Sequence, residues 1–252
     1  MVTTFCLVRH GATEGSEVPR YKGSIDVALS AHGQAQMRQT AGRLRDYLAK
    51  LITARQHSYL RDIHGKSADD NRPDSTNKSN TDSGRDHEAE PVDDGRSETR
   101  VGLDVVYCSP LIRAVRSAEI IAAPYGLEPV ETPDLRERHF GAWEGLSLTE
   151  IKQGYPDAFA AWAADPVRFA PPGGESTLEL ARRAEAAFNE ILRRHFGQNL
   201  AVVAHGGINR VILCHLLGVP LENIFRLEQD LACFNIIEFW DLLPVVKLLN
   251  DA

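Results

Sequence analysis

Two histidines leave apolar, β-prone runs in the same way. Phe5–Val8 leads into Arg9-His10-Gly11, and Leu200–Ala204 leads into His205-Gly206-Gly207. In open α/β sheets ligands bind beyond the carboxyl ends of the strands, so each histidine emerges at the edge where a site forms. The glycines let backbone N–H groups approach an anion, and a helix starting near Gly207 points its positive end the same way. One such histidine alone reads as a satisfied strand-end residue. Two in the same context, one preceded by arginine, point to a phosphate or carboxylate site. A third run ends at Cys108-Ser109-Pro110, and Arg113 falls on the first turn of the helix that follows. A guanidinium suits a phosphate because its planar fork donates two parallel charge-assisted bonds. The plainer alternative makes Arg113 a solvated helix arginine, as Arg116 is. Glu137 sits between Arg136 and Arg138 in DLRERHFGAWEG, where base rate favours a surface ion pair.

These residues need a sheet and its helices to align them. Thr3–Val8 reads as a short strand. Ser30 caps a helix with the apolar stripe Met37, Ala41, Leu44, Leu48 and Leu51, spaced as one helical face requires. Leu103–Cys108 reads as a second strand. Ser109-Pro110 supplies an N-cap and a first-turn proline to a helix carrying Leu111, Ala114, Ala118 and Ile121. Ser176 and Glu179 form a capping box. It opens a helix to about His195, with Leu180, Ala184, Ala187, Phe188, Ile191 and Leu192 as its buried stripe. Leu200–Ala204 is apolar throughout, as a strand buried on both faces is. A helix over about Gly207–Leu217 and strands over Cys233–Trp240 and Val245–Leu249 complete the alternation. This order predicts an α/β fold: a three-layer sandwich with a mostly parallel central sheet flanked by helices.

One composition shift interrupts the pattern. In His64–Arg100 the aliphatic residues are Ala68, Ala89 and Val92, and there is no aromatic residue. Arg61–Arg100 holds seven basic and eleven acidic residues, a net of −4 within a chain total of −7. Such a stretch cannot bury enough apolar surface to offset its ordering entropy. Residues of about 54–100 therefore read as a long disordered insertion, a tolerated surface excursion. The piece before it is too small for its own core, so residues 1–252 read as a single domain. The 252 residues are 43% hydrophobic and 25% charged, as in ordinary soluble proteins. The acidic balance argues against nucleic acid and anionic membranes as partners. No apolar run reaches the roughly 18 residues of a membrane span. The N-terminus lacks the basic start of a signal peptide. Cys6, Cys108, Cys214 and Cys233 show no CxxC spacing, which suits reduced thiols in a cytoplasmic protein.

Six segments, in order, resemble the histidine phosphatase superfamily, also called phosphoglycerate-mutase-like: LVRHGATEG (7–15), RYKGSIDVALSAHGQAQ (20–36), YCSPLIRAVRSAE (107–119), LRERHFGAWEG (135–145), PPGGES (171–176) and VVAHGGINR (202–210). The resemblance covers most of residues 3–220 outside the insertion. It implies that His10 is the nucleophile that becomes phosphohistidine, and that Arg9, Arg113 and His205 bind the phosphoryl oxygens. The resemblance likewise implies that Glu137 protonates the leaving alkoxide and then activates water. Thr13, Ser16, Arg20, Gly23 and Gly206, within the same motifs, are implied substrate-binding positions. A histidine near its reference pKa of ~6.5 is largely neutral at pH 7, so a ring nitrogen can attack phosphorus. Fixed cationic donors suit the equatorial oxygens of phosphoryl transfer. No cofactor and no metal are implied, and no GxxxxGK[ST] loop occurs.

Two departures shape the functional reading. Many family members have Asn six residues after the nucleophile, where this chain has Ser16, a shorter hydroxyl that can still meet a phosphate oxygen. The chain also lacks the long insertion with which mutases hold a bisphosphate, which resembles the phosphatase branch, including α-ribazole-phosphatase-like members. Trp143, Tyr155, Phe159 and Trp162 either wall a leaving-group pocket or are ordinary core or helix-packing aromatics, and the latter is the expectation for Phe159 and Trp162. The leading reading is a metal-independent phosphomonoesterase acting on small phosphate esters. Its alternatives are an α-ribazole 5′-phosphate phosphatase, a phosphoglycerate mutase, and a non-catalytic phospho-ligand binding module. Monomer and homodimer both stay open.

Overall fold

The computed structural model describes residues 2–53 and 102–252; the insertion expected at about 54–100 lies outside the described residues. Six strands form one sheet: β1 (Val2–Arg9), β2 (Val105–Cys108), β3 (Val130–Glu131), β4 (Asn199–Ala204), β5 (Phe234–Trp240) and β6 (Leu243–Asp251). Their spatial order is β3-β2-β4-β1-β5-β6. The first four are mutually parallel, whereas β5 runs antiparallel to both β1 and β6.

Helices cover both faces. α1 (Ala31–Thr53) and α2 (Ile112–Ala122) lie on one side; α5 (Thr177–Arg194) and α6 (Gly206–Leu217) lie on the other. Between α2 and α5 come two short helices, α3 (Leu148–Gly154) and α4 (Pro156–Ala164). The layers follow from strand alternation. Phe5, Leu7, Leu200 and Val202 point into the core beneath α5 and α6. Their neighbours Cys6, Val8, Ala201 and Val203 join Met37, Leu44, Leu48 and Ile121 beneath α1 and α2.

Local signals explain most boundaries. Ser30 Oγ accepts from Gly33 N at 3.0 Å and starts α1. Ser176 Oγ accepts from Glu179 N at 3.2 Å while Glu179 Oε2 accepts from Ser176 N at 2.8 Å, the expected capping box. Met37, Ala41, Leu44 and Leu48 are buried as expected; the side chain of Leu51 lies outside the described residues.

Three boundaries differ. The helix after β2 begins at Ile112, with Leu111 at the N-cap and no side-chain cap, so Ser109-Pro110 is not its start. Ser109 is drawn instead into a buried hydrogen bond with His205. The second strand likewise starts at Val105 rather than Leu103, and the last strand extends over Leu243–Asp251.

Candidate active site

Sheet register brings three strand ends together. Arg9 of β1 pairs with Ala204 of β4, so His10 and His205 follow at adjacent positions. Cys108 of β2 pairs with Val203, which sets Ser109 beside them. The two histidine rings stand with centroids 5.1 Å apart at 65°.

Each ring has a defined environment. His10 Nδ1 lies 2.7 Å from the Gly11 carbonyl oxygen. A carbonyl only accepts, so Nδ1 donates. In the neutral ring Nε2 then keeps a free lone pair. His205 is fully buried, its Nε2 is 2.8 Å from Ser109 Oγ, and its Nδ1 has no protein partner among the described residues. Burial, then the Arg9 and Arg113 cations, holds His10 well below the usual histidine range of 6.5. Burial, then Arg113, His10 and Arg9, does the same to His205. Both rings are therefore neutral at pH 7.

This has a consequence for stability. In the unfolded chain each histidine takes up a proton near pH ~6.5, but in the folded protein only at lower pH. Between those values the unfolded state binds more protons, so stability is complete above about pH 6.5 and declines as the pH falls toward the folded values. The melting temperature is expected to drop from pH 7.5 to 5. It should drop less in a His10→Ala, His205→Gln double variant. Equal pH slopes in the two proteins would contradict neutral burial of both rings.

The arginines divide by partner. Arg113 is 2% exposed, and donates Nη1 to Ile25 O at 2.8 Å and Nη2 to Gly23 O at 2.7 Å. It is thus a buried residue turned toward the 23–25 loop, not a solvated helix arginine; Arg116, by contrast, is exposed and pairs with Glu119. Arg9 Nη1 donates to Gln229 O, and its Nε is buried without a protein partner among the described residues.

Glu137 does not pair with its flanking arginines. Arg138 is buried and donates to Glu175 O, Thr177 Oγ1 and Phe169 O at 2.7, 3.0 and 3.1 Å. Arg136 turns to Pro133 O at 3.2 Å. The Glu137 carboxylate instead accepts from Arg138 N at 2.8 Å and Gly207 N at 3.1 Å. Arg183 of α5 staples the backbone beneath it, donating to the carbonyls of Asp134, Arg136 and Glu137 at 2.8, 2.7 and 3.1 Å. A Cβ at position 207 would stand 2.4 Å from Glu137 Oε1, so a side chain there would displace the carboxylate from this position.

A cavity of about 1020 Å³ opens over this edge of the sheet. Nine of the ten sequence-predicted site residues line it; the tenth, His205, is fully buried with its ring 5.1 Å from that of His10. The match to the family model for the histidine phosphatase superfamily (branch 1) covers residues 5–61 and 95–252. The chain belongs to that superfamily. It is a phosphoric monoester hydrolase. Over 97% of its length it is 27% identical to phosphoserine phosphatase 1 of Hydrogenobacter thermophilus, covering 90% of that protein. Over 60% of its length it is 27% identical to the adenosylcobalamin/α-ribazole phosphatase of Escherichia coli, covering 74% of it. The crystal structure of the α-ribazole phosphatase from Shigella flexneri superposes with a TM-score of 0.71 at 21% identity, over 98% of this chain and 96% of that one, a likeness of fold.

The remaining predicted residues of this histidine phosphatase are also part of the cavity lining. Ser16 Oγ turns back on its own loop, 2.9 Å from both Thr13 N and Thr13 Oγ1. Lys22, not singled out in the sequence, donates to Thr13 Oγ1 and to Glu14 O. Arg20 is half-exposed and engaged by Glu150 at 2.7 and 3.2 Å. Gly23 has φ +48°, and a Cβ there would meet Glu144 Oε1 at 2.3 Å, so the loop that receives Arg113 needs a glycine. Gly206 opens α6 beside the Arg9 guanidinium.

The core half of the aromatic expectation is corrected. Phe159 and Trp162 line the cavity together with Trp143, Phe140 and Phe225, whereas Tyr155 does not. Helix α4, which carries Phe159 and Trp162, has no buried residue and so cannot use them as core. They meet each other at 5.5 Å between centroids, and Trp162 reaches Trp143 and Phe225 at 6.4 and 6.2 Å. The contacts of Ser109 and Gly207 were also missed: Ser109 was hidden by its look as a helix cap, and Gly207 was read only as one of the two glycines in AHGGIN that let backbone N–H groups approach an anion.

Proposed function

We propose that this enzyme is a metal-independent phosphomonoesterase for small phosphate esters, working through a phosphohistidine on His10. The observation that carries the reading is the donation from His10 Nδ1 to the Gly11 carbonyl, which leaves Nε2 as a lone pair on a neutral ring flanked by Arg9 and Arg113. Nε2 attacks phosphorus, and the bond to the ester oxygen breaks. Arg9, Arg113 and His205 hold the phosphoryl oxygens. Glu137 gives its proton to the leaving alkoxide. Its carboxylate then takes a proton from water, whose oxygen attacks the phosphohistidine. Inorganic phosphate leaves, and Nε2 regains its lone pair. Thr13, Ser16, Gly23 and Gly206 support the phosphate loops, and Arg20 serves the rim. Residues 1–252 act as one histidine-phosphatase-like domain. Four free, buried cysteines support a reducing, cytoplasmic setting.

The aromatic wall favours esters with a flat, apolar leaving group, of which α-ribazole 5′-phosphate is one. Aromatic faces contribute most to recognition when they bury another ring.

The test is phosphate release from a panel of esters with and without EDTA. Turnover is expected to survive chelation, since guanidinium groups occupy the role of a divalent cation. Vanadate, a mimic of the trigonal-bipyramidal transition state, is expected to inhibit strongly. Phenyl and naphthyl phosphates should exceed phosphoserine in kcat/KM. Activity lost in EDTA and restored by Mg²⁺ would overturn the mechanism.

A further inference from the structure

Ser109 and His205 form a buried pair that the reaction as written leaves unexplained. Both are fully buried, and Ser109 Oγ lies 2.8 Å from His205 Nε2. Ser109 Oγ also accepts from Leu111 N at 3.3 Å. Its own proton needs an acceptor, and among the described residues His205 Nε2 is the acceptor at hand. The opposite assignment, with Nε2 donating, gives Oγ two donors and orphans the hydroxyl proton inside the protein, which native interiors avoid. The hydroxyl therefore donates to Nε2. The ring proton of the neutral imidazole then falls on Nδ1, the buried atom without a protein partner among the described residues.

We infer that Ser109 is a positioning residue that fixes His205 as its Nδ1–H tautomer, so that His205 meets the phosphoryl group as a neutral hydrogen-bond donor. This rests on the phosphatase reading for the identity of the acceptor, but not for the tautomer. The two rings, 5.1 Å apart, become complementary. The Gly11 carbonyl takes the Nδ1 proton of His10 and frees a lone pair to attack. The Ser109 hydroxyl fills the Nε2 lone pair of His205 and frees an N–H to donate. Second-sphere groups commonly set histidine tautomers in this way. The same pair explains why Ser109 is withdrawn from capping α2, whose N-cap passes to Leu111.

The test begins with the unliganded full-length protein labelled with ¹⁵N-histidine at pH 7.5. The His205 ring signals are assigned as those lost in His205→Gln. Wild type is expected to show Nδ1 protonated and Nε2 not; the reverse pattern overturns the inference. In Ser109→Ala the signals should move toward the Nε2–H form or a mixture. Loss of a donor to a charged phosphoryl group should lower kcat/KM for p-nitrophenyl phosphate about ten- to a hundredfold, and weaken vanadate inhibition by a similar factor. Ser109→Thr keeps the hydroxyl and should restore both. An unchanged tautomer in Ser109→Ala, or an altered one with vanadate inhibition intact, overturns the inference. Should Ser109→Ala fail to fold, the wild-type spectrum still decides. Failure of the wild type to hydrolyse any ester would instead overturn the phosphatase reading, and the tautomer measurement would stand apart from it.

Discussion

Replacing His10 with alanine is expected to lower ester turnover by ~10³-fold or more, as removal of a covalent nucleophile does. The fold should survive. His10 sits where β1 ends, and among the described residues the one hydrogen bond of its imidazole is to the carbonyl of the next residue. The bond from Ala232 N goes to its backbone oxygen, which alanine keeps. The cost to stability should be about 1 kcal/mol, typical of a point substitution. Two measurements separate chemistry from folding. Wild-type enzyme quenched during turnover of a ³²P-labelled ester should carry a base-stable, acid-labile phosphate that the alanine variant lacks. Circular dichroism and melting of the variant should stay close to wild type. Turnover near the wild-type rate, or a phosphoryl group found on another residue, would remove His10 from the role.

The folded state shows which sequence signals were sufficient. Hydrophobic period placed the main elements, because strands and long helices here bury one clean face or both. Asn199–Ala204 is buried throughout, and α5 keeps Leu180, Ala184, Phe188 and Ile191 on one side. The two histidines were legible for the same reason: each ends an unmistakable apolar run. Residues whose role depends on tertiary approach were harder to read. Arg113 looks like any helix arginine until the 23–25 loop closes over it, and only then is it 2% exposed. Ser109 followed by proline has the local form of a cap, yet a neighbouring strand supplies a stronger partner. Phe159 and Trp162 have helical spacing, but their helix lies over a cavity rather than on the core, which local spacing does not reveal. Glu137 was the least legible from pattern alone. Its flanking arginines suggested an ion pair, and they are claimed instead by the 169–177 segment and by Pro133.

That same arrangement gives the Glu137→Gln variant a distinctive expected result. Both carboxylate oxygens of Glu137 accept backbone N–H bonds, from Arg138 and from Gly207. Glutamine reproduces the shape but has a single accepting oxygen, so one of the two N–H groups loses its partner. That costs about 1 kcal/mol of stability, too little to unfold the protein. The catalytic loss should be far larger, because an amide cannot donate an acidic proton. General acid catalysis is worth ~10²–10⁴-fold, and that range is expected for alkyl phosphates, whose alkoxides are strongly basic. For p-nitrophenyl phosphate the departing phenolate needs little help, so the loss should be much smaller. The slower step should then shift to hydrolysis of the phosphohistidine, since the same residue activates water. Phosphoenzyme should accumulate in Glu137→Gln with p-nitrophenyl phosphate and show a burst of nitrophenolate. The measurement is kcat/KM for both ester types, with rapid-quench detection of phosphohistidine. Equal losses for the two esters, without accumulation, would mean that Glu137 holds the Gly207 and Arg138 backbone in place and moves no proton.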